Sequence, residues 1–408
     1  LGLMFGIVIM IFQIAFADWL SFELFNGSEL LKAVLIISAV SLPFATIMAI
    51  SAFATQGFKL LKYKVMILNI IRPVIMLVCV LISISFFTKD AAIKYPLLIS
   101  AVFSSFVAVI FLGKLTKIKM SQIFSGVMDK ELLRFSYPLM FVTILGTFMH
   151  WMDIMMLGYF TDTTTVGLYH PAARTAGLLR TVLLAFMGIF APMMSEYHRQ
   201  GDIGEMGNLY KLIVRWIISL SLPLAIILIL YSKKIMLLFG VNYLSASNVL
   251  IVLTGAAFLQ IIFGSGGHTL TMSGFTKVNL VNSIIIVLIN ITLNISWIPH
   301  YGIIGAAYAT FVSMALLGIL RIVEVYYFVK LNPFSLKLFK PIIAGVIMAV
   351  VLIYIKPMVL SLHTIVSLII ILLVGLLSFF FMLWMLKFDD DDREIWSGIG
   401  MITNRRES

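Results

Sequence analysis

A chain of 408 residues that is 62% hydrophobic and only 12% charged, with a mean hydropathy of +1.10, does not have enough polar surface to dissolve in water. Soluble domains average about 45–50% apolar and about 25% charged residues. The net charge of +11 would suggest nucleic acid in a soluble protein, but here the basic residues sit in short loops between apolar runs, where they record topology, and no nucleic-acid partner is expected.

The apolar runs lack the polar–apolar alternation of membrane β-strands and are long enough to span as helices. The chain therefore reads as an all-α polytopic membrane protein. Twelve spans are predicted, at about 2–17, 33–55, 65–87, 91–113, 136–159, 167–193, 212–231, 247–270, 280–298, 303–328, 340–359 and 364–386. The chain opens at Leu1 inside an apolar run, with no charged leader, and is read as lacking its true N-terminus. The linker over 114–135 carries Ile118, Ile123, Phe124, Val127, Leu132 and Leu133 partly at helical spacing, which predicts an amphipathic segment at the membrane surface. Cys79 is the single cysteine, so no intramolecular disulfide forms.

Lys and Arg are distributed unevenly between alternate loops. Nineteen fall in one set of loops together with the tail, six in the opposite set, and Arg72, Arg174, Arg180 and Arg321 lie within spans. The positive-inside rule then puts the C-terminus and its acidic run from Asp389 in the cytoplasm, with the plasma membrane as the expected location.

No nucleotide-binding loop, His-Glu-x-x-His pair, Cys-His cluster or nucleophile elbow occurs, so neither cofactor, metal nor enzymatic chemistry is expected. The informative residues are charges inside spans, because such groups are expensive in hydrocarbon and usually face the bundle interior or a wet cavity. Asp153 sits deep in His150-Trp-Met-Asp-Ile-Met-Met-Leu-Gly158, and Arg174 and Arg180 follow in the next span. One reading makes Arg174 a cavity cation for an anionic substrate, with Asp153 its partner or a proton site; the other makes them a structural interhelical ion pair, or Arg174 a snorkelling residue near a span end. The substrate-binding set expected is Arg174, Asp153, Arg180, His150, His170 and His268. Gly264-Ser-Gly-Gly267 reads either as a broken helix lining a cavity or as ordinary membrane-helix glycine. Asn290 and Asn294, four apart, are expected to hydrogen-bond across to another helix.

Several short motifs then fall in a telling order. They are Asp153-Ile-Met-Met-Leu157; Val166-Gly-Leu-Tyr169 with Ala172, Pro192 and Ser195; Asp202 with Tyr210; Phe239-Gly-Val-Asn-Tyr243; Asn294 with Ile298-Pro-His-Tyr-Gly302; and Gly305-Ala-Ala307. The succession resembles the polysaccharide-biosynthesis (Wzx-type) flippases, of the superfamily that includes multidrug MATE exporters and lipid II flippases. The resemblance implies two pseudo-symmetric helical lobes around a central cationic cavity, usually fourteen spans. It places an incomplete first lobe at 1–113, the linker at 114–135, a second lobe at 136–328, an extra helix pair at 329–386 and a tail at 387–408. It further implies export of a polyprenyl-diphosphate-linked oligosaccharide by alternating access, with Na+ or H+ coupling, membrane lipids as surroundings and other polysaccharide-assembly proteins as partners. The rival readings are a MATE-like antiporter of small cations, a membrane glycan polymerase or ligase, and a scaffold. The first would want cavity carboxylates and the second a large outer loop. The intramembrane charges argue against the third.

Overall fold

The structure, a computed structural model, describes residues 2–25, 28–57, 61–86, 89–116 and 130–386. Among these residues there are helices and no strand. The amphipathic stretch expected within 114–135 and the acidic tail fall largely outside the described residues. The chain divides into two compact units, Leu1–Pro138 and Leu139–Ser408.

The first unit holds α1 (Gly2–Ala15), α2 (Glu29–Gly57), α3 (Lys62–Phe86) and α4 (Lys89–Thr116). Helices α2 and α4 bury small residues, with Ala52 and Thr55 on one and Ala101, Ser104 and Ala108 on the other, all with no exposed surface. Small side chains let membrane helices approach closely, where apolar bulk gives no advantage over lipid. Most hydroxyls there are satisfied by their own helix, as in Thr55 to the Ala52 carbonyl at 2.7 Å and Ser105 to that of Val102 at 2.7 Å.

The second unit takes α5 (Lys130–Phe160) from Leu139 onward, then α6 (Thr163–Gly177), α7 (Leu179–Gln200), α8 (Ile203–Leu230) and α9 (Ser247–Met272). It continues with α10 (Thr276–Tyr301), α11 (Ile303–Glu324), α12 (Phe339–Leu360) and α13 (Thr364–Met385). Helix α9 is its axis, packed by α6, α7, α8, α10 and α11. Its glycines explain why. A Cβ at Gly264 would meet Leu183 Cδ2 at 2.6 Å, and one at Gly255 would meet Phe311 at 3.1 Å. The Gly264–Gly267 run is therefore continuous helix and not a break; the missing side chains serve close packing.

The span expected at 167–193 is instead two helices that part at Leu178. The Leu178 amide donates to the Thr175 carbonyl at 3.2 Å, and the Thr181 amide to that of Leu178 at 3.1 Å, which is the tighter i→i+3 pattern. Pro171 lacks an amide to donate and Gly177 favours helix poorly, so the ladder is weakest just before the joint. Asp162 caps α6, accepting from the Thr165 amide at 2.8 Å, and Asp202 caps α8, accepting from that of Glu205 at 3.0 Å.

Helices α10 and α11 turn at Gly302, whose φ of 57° suits glycine. Close behind it, a Cβ at Gly305 would lie 2.4 Å from the Trp297 carbonyl oxygen. The α12–α13 pair lies on α8 within the same unit: Tyr231 Oη donates to the Leu352 carbonyl at 2.7 Å, and Lys234 Nζ to that of Leu362 at 2.8 Å.

Among the described residues nine helices are long and apolar enough to cross a membrane, α2–α4 and α8–α13. The expected spans at 2–17, 136–159 and 167–193 are not among them. Helix α1 has only 14 residues, and the break at Leu178 leaves α6 with 15. Side chains at the start of α5 lie outside the described residues.

Candidate functional site

Four helices of the second unit bring polar side chains to one buried point. Asp153 on α5 accepts from Tyr169 Oη at 3.1 Å, from Asn294 Nδ2 at 2.9 Å, and from Thr310 Oγ1. The same Asn294 amide group donates to Asn290 Oδ1, one turn earlier on α10, at 2.9 Å. Tyr169 and Asn294 are 1% and 0% exposed, and Asp153 is 9% exposed.

The chemistry of this cluster lies in what it lacks. Every donor to Asp153 is neutral, and among the described residues no Lys, Arg or His forms an ion pair with it. An ion taken out of water loses several kcal/mol of hydration, which hydrogen bonds worth about 1.5–3 kcal/mol each to a charged group offset only in part. Asn294 Oδ1 is also buried without a partner. Carboxylate, amide, hydroxyl and phenol oxygens together form a hard-oxygen set that fits a proton or a small hard cation and no soft metal.

The residues expected at the site therefore separate. Asp153 points into the bundle, whereas Arg174 and Arg180 are exposed, so the proposed Asp153–Arg174 partnership is not formed. Helix α6 has two faces: Tyr169, Ala172 and Ala176 are buried, while Gly167, His170 and Arg174 form an outer stripe that runs through the exposed Leu178 to Thr181. His170 is half-buried and stacks on Trp151, with ring centroids 6.3 Å apart. His268 is half-buried far along α9 and lines, with Tyr210, Ser265 and Thr269, a cavity of about 10 Å³, room for about one water. The side chain of His150 lies outside the described residues.

The outer stripe differs from the lipid-facing surfaces of its neighbours. Helix α10 exposes Val281, Ile284, Ile285, Leu288 and Ile295, and α11 exposes Leu316, Ile319 and Val323. Such surfaces suit acyl chains; Arg174 and Arg180 do not, and belong beside water.

A second polar group, missed from sequence, surrounds Arg321 on α11. Its Nη2 donates to Asn279 Oδ1 at 3.3 Å, and its Nε is buried without a partner. The guanidinium lies on Gly267, where a Cβ would come within 2.7 Å of Cζ. Glu324, one turn on, accepts from Asn282 Nδ2 at 2.5 Å. In sequence Arg321 stands out only as one of four Arg within spans; the signal that it is buried lies in the glycine pair opposite it on α9.

The polysaccharide biosynthesis protein family matches residues 1–248, which include Asp153, Tyr169 and Arg174. The chain belongs to that family. Among curated relatives it is similar to Agl15 of Haloferax volcanii, a probable low-salt glycan biosynthesis flippase, 28% identical over 47% of this chain and 41% of the relative. AglR of the same organism, a probable flippase, is 28% identical over 42% of this chain and 37% of its own length. An uncharacterized membrane protein of Methanocaldococcus jannaschii is 28% identical over 72% of this chain and 59% of its own. The chain thus spans less than two thirds of the length of each. Among solved structures, the lipid II flippase MurJ in an inward closed conformation matches with a TM-score of 0.72 at 18% identity, over 93% of this chain and 80% of that one. This member of the family is accordingly a multi-pass membrane protein with a MurJ-like helical fold.

Proposed function

We propose that the protein is a transporter, not an enzyme. It flips a polyprenyl-diphosphate-linked oligosaccharide from the cytoplasmic to the outer leaflet of the plasma membrane by alternating access, with its C-terminus in the cytoplasm. The observation that carries this reading is the outer stripe of α6, on which Arg174 is exposed among helices whose outer faces are otherwise apolar. A diphosphate cannot cross hydrocarbon unaided, and a guanidinium can bind it bidentately while the polyprenyl tail stays in lipid. Family membership and the relatives named as flippases support the substrate class.

Asp153 supplies the driving element. A carboxylate held by neutral donors alone takes up a proton or Na+, and its protein partners come from three other helices. Occupancy of that point thus alters how α5, α6, α10 and α11 pack together. A small-cation antiporter would want its carboxylates on the exposed face, where this protein has arginines.

The test is transport in proteoliposomes loaded with a fluorescent polyprenyl-diphosphate oligosaccharide, reading its accessibility to an external quencher. Wild-type protein is expected to flip it, and Arg174→Ala to lower the rate at least tenfold. A wild-type rate in Arg174→Ala would sink the assignment of that residue, and no flipping by the wild type would sink the function.

A further inference from the structure

We propose that the patch formed by the α11–α12 connection and the α9–α10 turn binds the headgroup of an anionic phospholipid, with Lys330 and Lys277 as its cations. The inference goes beyond the flippase reading and stands without it.

The setting follows from the spans themselves. Ile303–Val329 and Leu336–Leu360 are each long and apolar enough to cross a membrane, as are Val241–Met272 and Thr276–Tyr301. Residues 330–335 and 273–275 therefore turn at a membrane surface. It is the same surface for both, because Phe275 in one turn stacks on Phe328 beside the other, with ring centroids 5.0 Å apart. Each ring is followed two residues later by an exposed lysine, Lys277 after Phe275 and Lys330 after Phe328.

Lys330 stands out in its backbone. Among the described residues it is the non-glycine residue with a positive φ, 61°, a conformation costly for lysine and easy for Gly or Asn. Its neighbours Val329 and Leu331 are 5% and 3% exposed, and a Cβ at Gly207 of α8 would meet Leu331 Cδ2 at 3.4 Å. The left-handed residue thus lets the chain bury both flanks and leave the ammonium outside, 5.3 Å from the Tyr327 ring centroid. An unfavourable backbone that presents an exposed cation points to a ligand for that cation.

Composition decides the kind of ligand. Between Glu324 and Asp389 the chain has no acid, and Lys337 and Lys340 add charge just beyond the connection. Of the acids at this end, Glu324 accepts from Asn282, Asp202 from the Glu205 amide and Glu205 from Asn208. Tyr326, Tyr327, Phe334, Leu336 and Phe339 are exposed between and beside the lysines. Amphipathic rings sit at the level of lipid headgroups, and a basic segment at that level attracts anionic lipid. An acidic protein would match the charge, but it would have to displace the lipid that already covers those rings. On the orientation proposed above this surface is cytoplasmic, the side whose anionic lipids attract basic segments.

The test is native mass spectrometry of the purified protein titrated with phosphatidylglycerol or with phosphatidylcholine of the same acyl chains. The wild type is expected to bind phosphatidylglycerol about tenfold more tightly. The double variant Lys277→Gln/Lys330→Asn removes both ammonium groups and suits the backbone at 330. It is expected to lose most of that preference and to bind phosphatidylcholine unchanged, which also shows it to be folded. Lys233→Gln, beyond the opposite end of α8, should keep the preference. No preference in the wild type, or an equal loss in Lys233→Gln, would overturn the site. So would binding of a poly-glutamate peptide at the same two lysines without any lipid preference, which would mark a protein-docking surface instead.

Discussion

Asp153 and Asn294 lie 141 positions apart in the chain and meet in the second unit, the Asn294 amide donating to Asp153 Oδ1 at 2.9 Å. That bond ties α5 to α10 where, among the described residues, no Lys, Arg or His forms an ion pair with the acid. Asp153→Asn keeps the shape and removes the charge. In proteoliposomes the variant is expected to lose its response to an imposed H+ or Na+ gradient and to fall at least tenfold in rate. A retained gradient response would place coupling elsewhere.

Removing a donor tests the cluster's structural weight. Tyr169→Phe withdraws one hydrogen bond from Asp153 and fills the same volume. A cost of about 1.5–3 kcal/mol is expected for a bond to a charged group, read as a lower unfolding midpoint in detergent. No change in the midpoint would mean that Asp153 is neutral, or that water replaces the phenol.

Gly305→Ala should be among the most damaging single-methyl additions in the protein. The new Cβ would sit 2.4 Å from the Trp297 carbonyl oxygen, a backbone atom that cannot step aside. Overpacking costs typically 1–3 kcal/mol, and the thermal midpoint should fall accordingly. Gly113→Ala, with nothing within 4 Å, serves as the neutral comparison.

Gly267→Ala should be costly only while Arg321 is present. The added methyl would meet the guanidinium at 2.7 Å and dislodge it from Asn279. In the Arg321→Ala background the methyl has room, so a double-mutant cycle should give a coupling of about 0.5–3 kcal/mol. Additive losses would show that the two do not share the contact.

The α6 cap gives a pH-dependent signal outside the spans. The Thr165 side chain and amide hold the Asp162 carboxyl below the usual carboxylate range. A depressed value means that the cap stabilises α6 above the unfolded value of about 3.9, and that this contribution is lost as pH falls through the lower, folded one. Hydrogen exchange at the Thr165 amide, corrected for intrinsic rate, should lose protection as pH drops below about 4. Asp162→Asn keeps an acceptor without a titrating group and should abolish that dependence.

Much of this was legible before any coordinates. Hydropathy gives an all-helical membrane protein, and the Asn290–Asn294 spacing places two amides on one face, of which Asn294 bonds across to Asp153 while Asn290 accepts within its own helix. The cost of a charge in hydrocarbon marks Asp153, but its donors Tyr169 and Thr310 come from other helices, and no local pattern links them. The glycine run before His268 allowed two opposite readings, because absent side chains permit both a break and a tight crossing; only the positions of Leu183 and Arg321 decide for the crossing. The joint at Leu178 was hidden because an apolar run looks the same whether or not its ladder is continuous.

That joint has a consequence of its own. Arg174 stands four residues before Leu178 and Arg180 two after, so the two guanidinium groups ride on separate rods. The tighter turn at the joint sets the angle between two exposed guanidinium groups six residues apart, which an unbroken 3.6-residue pitch would set differently.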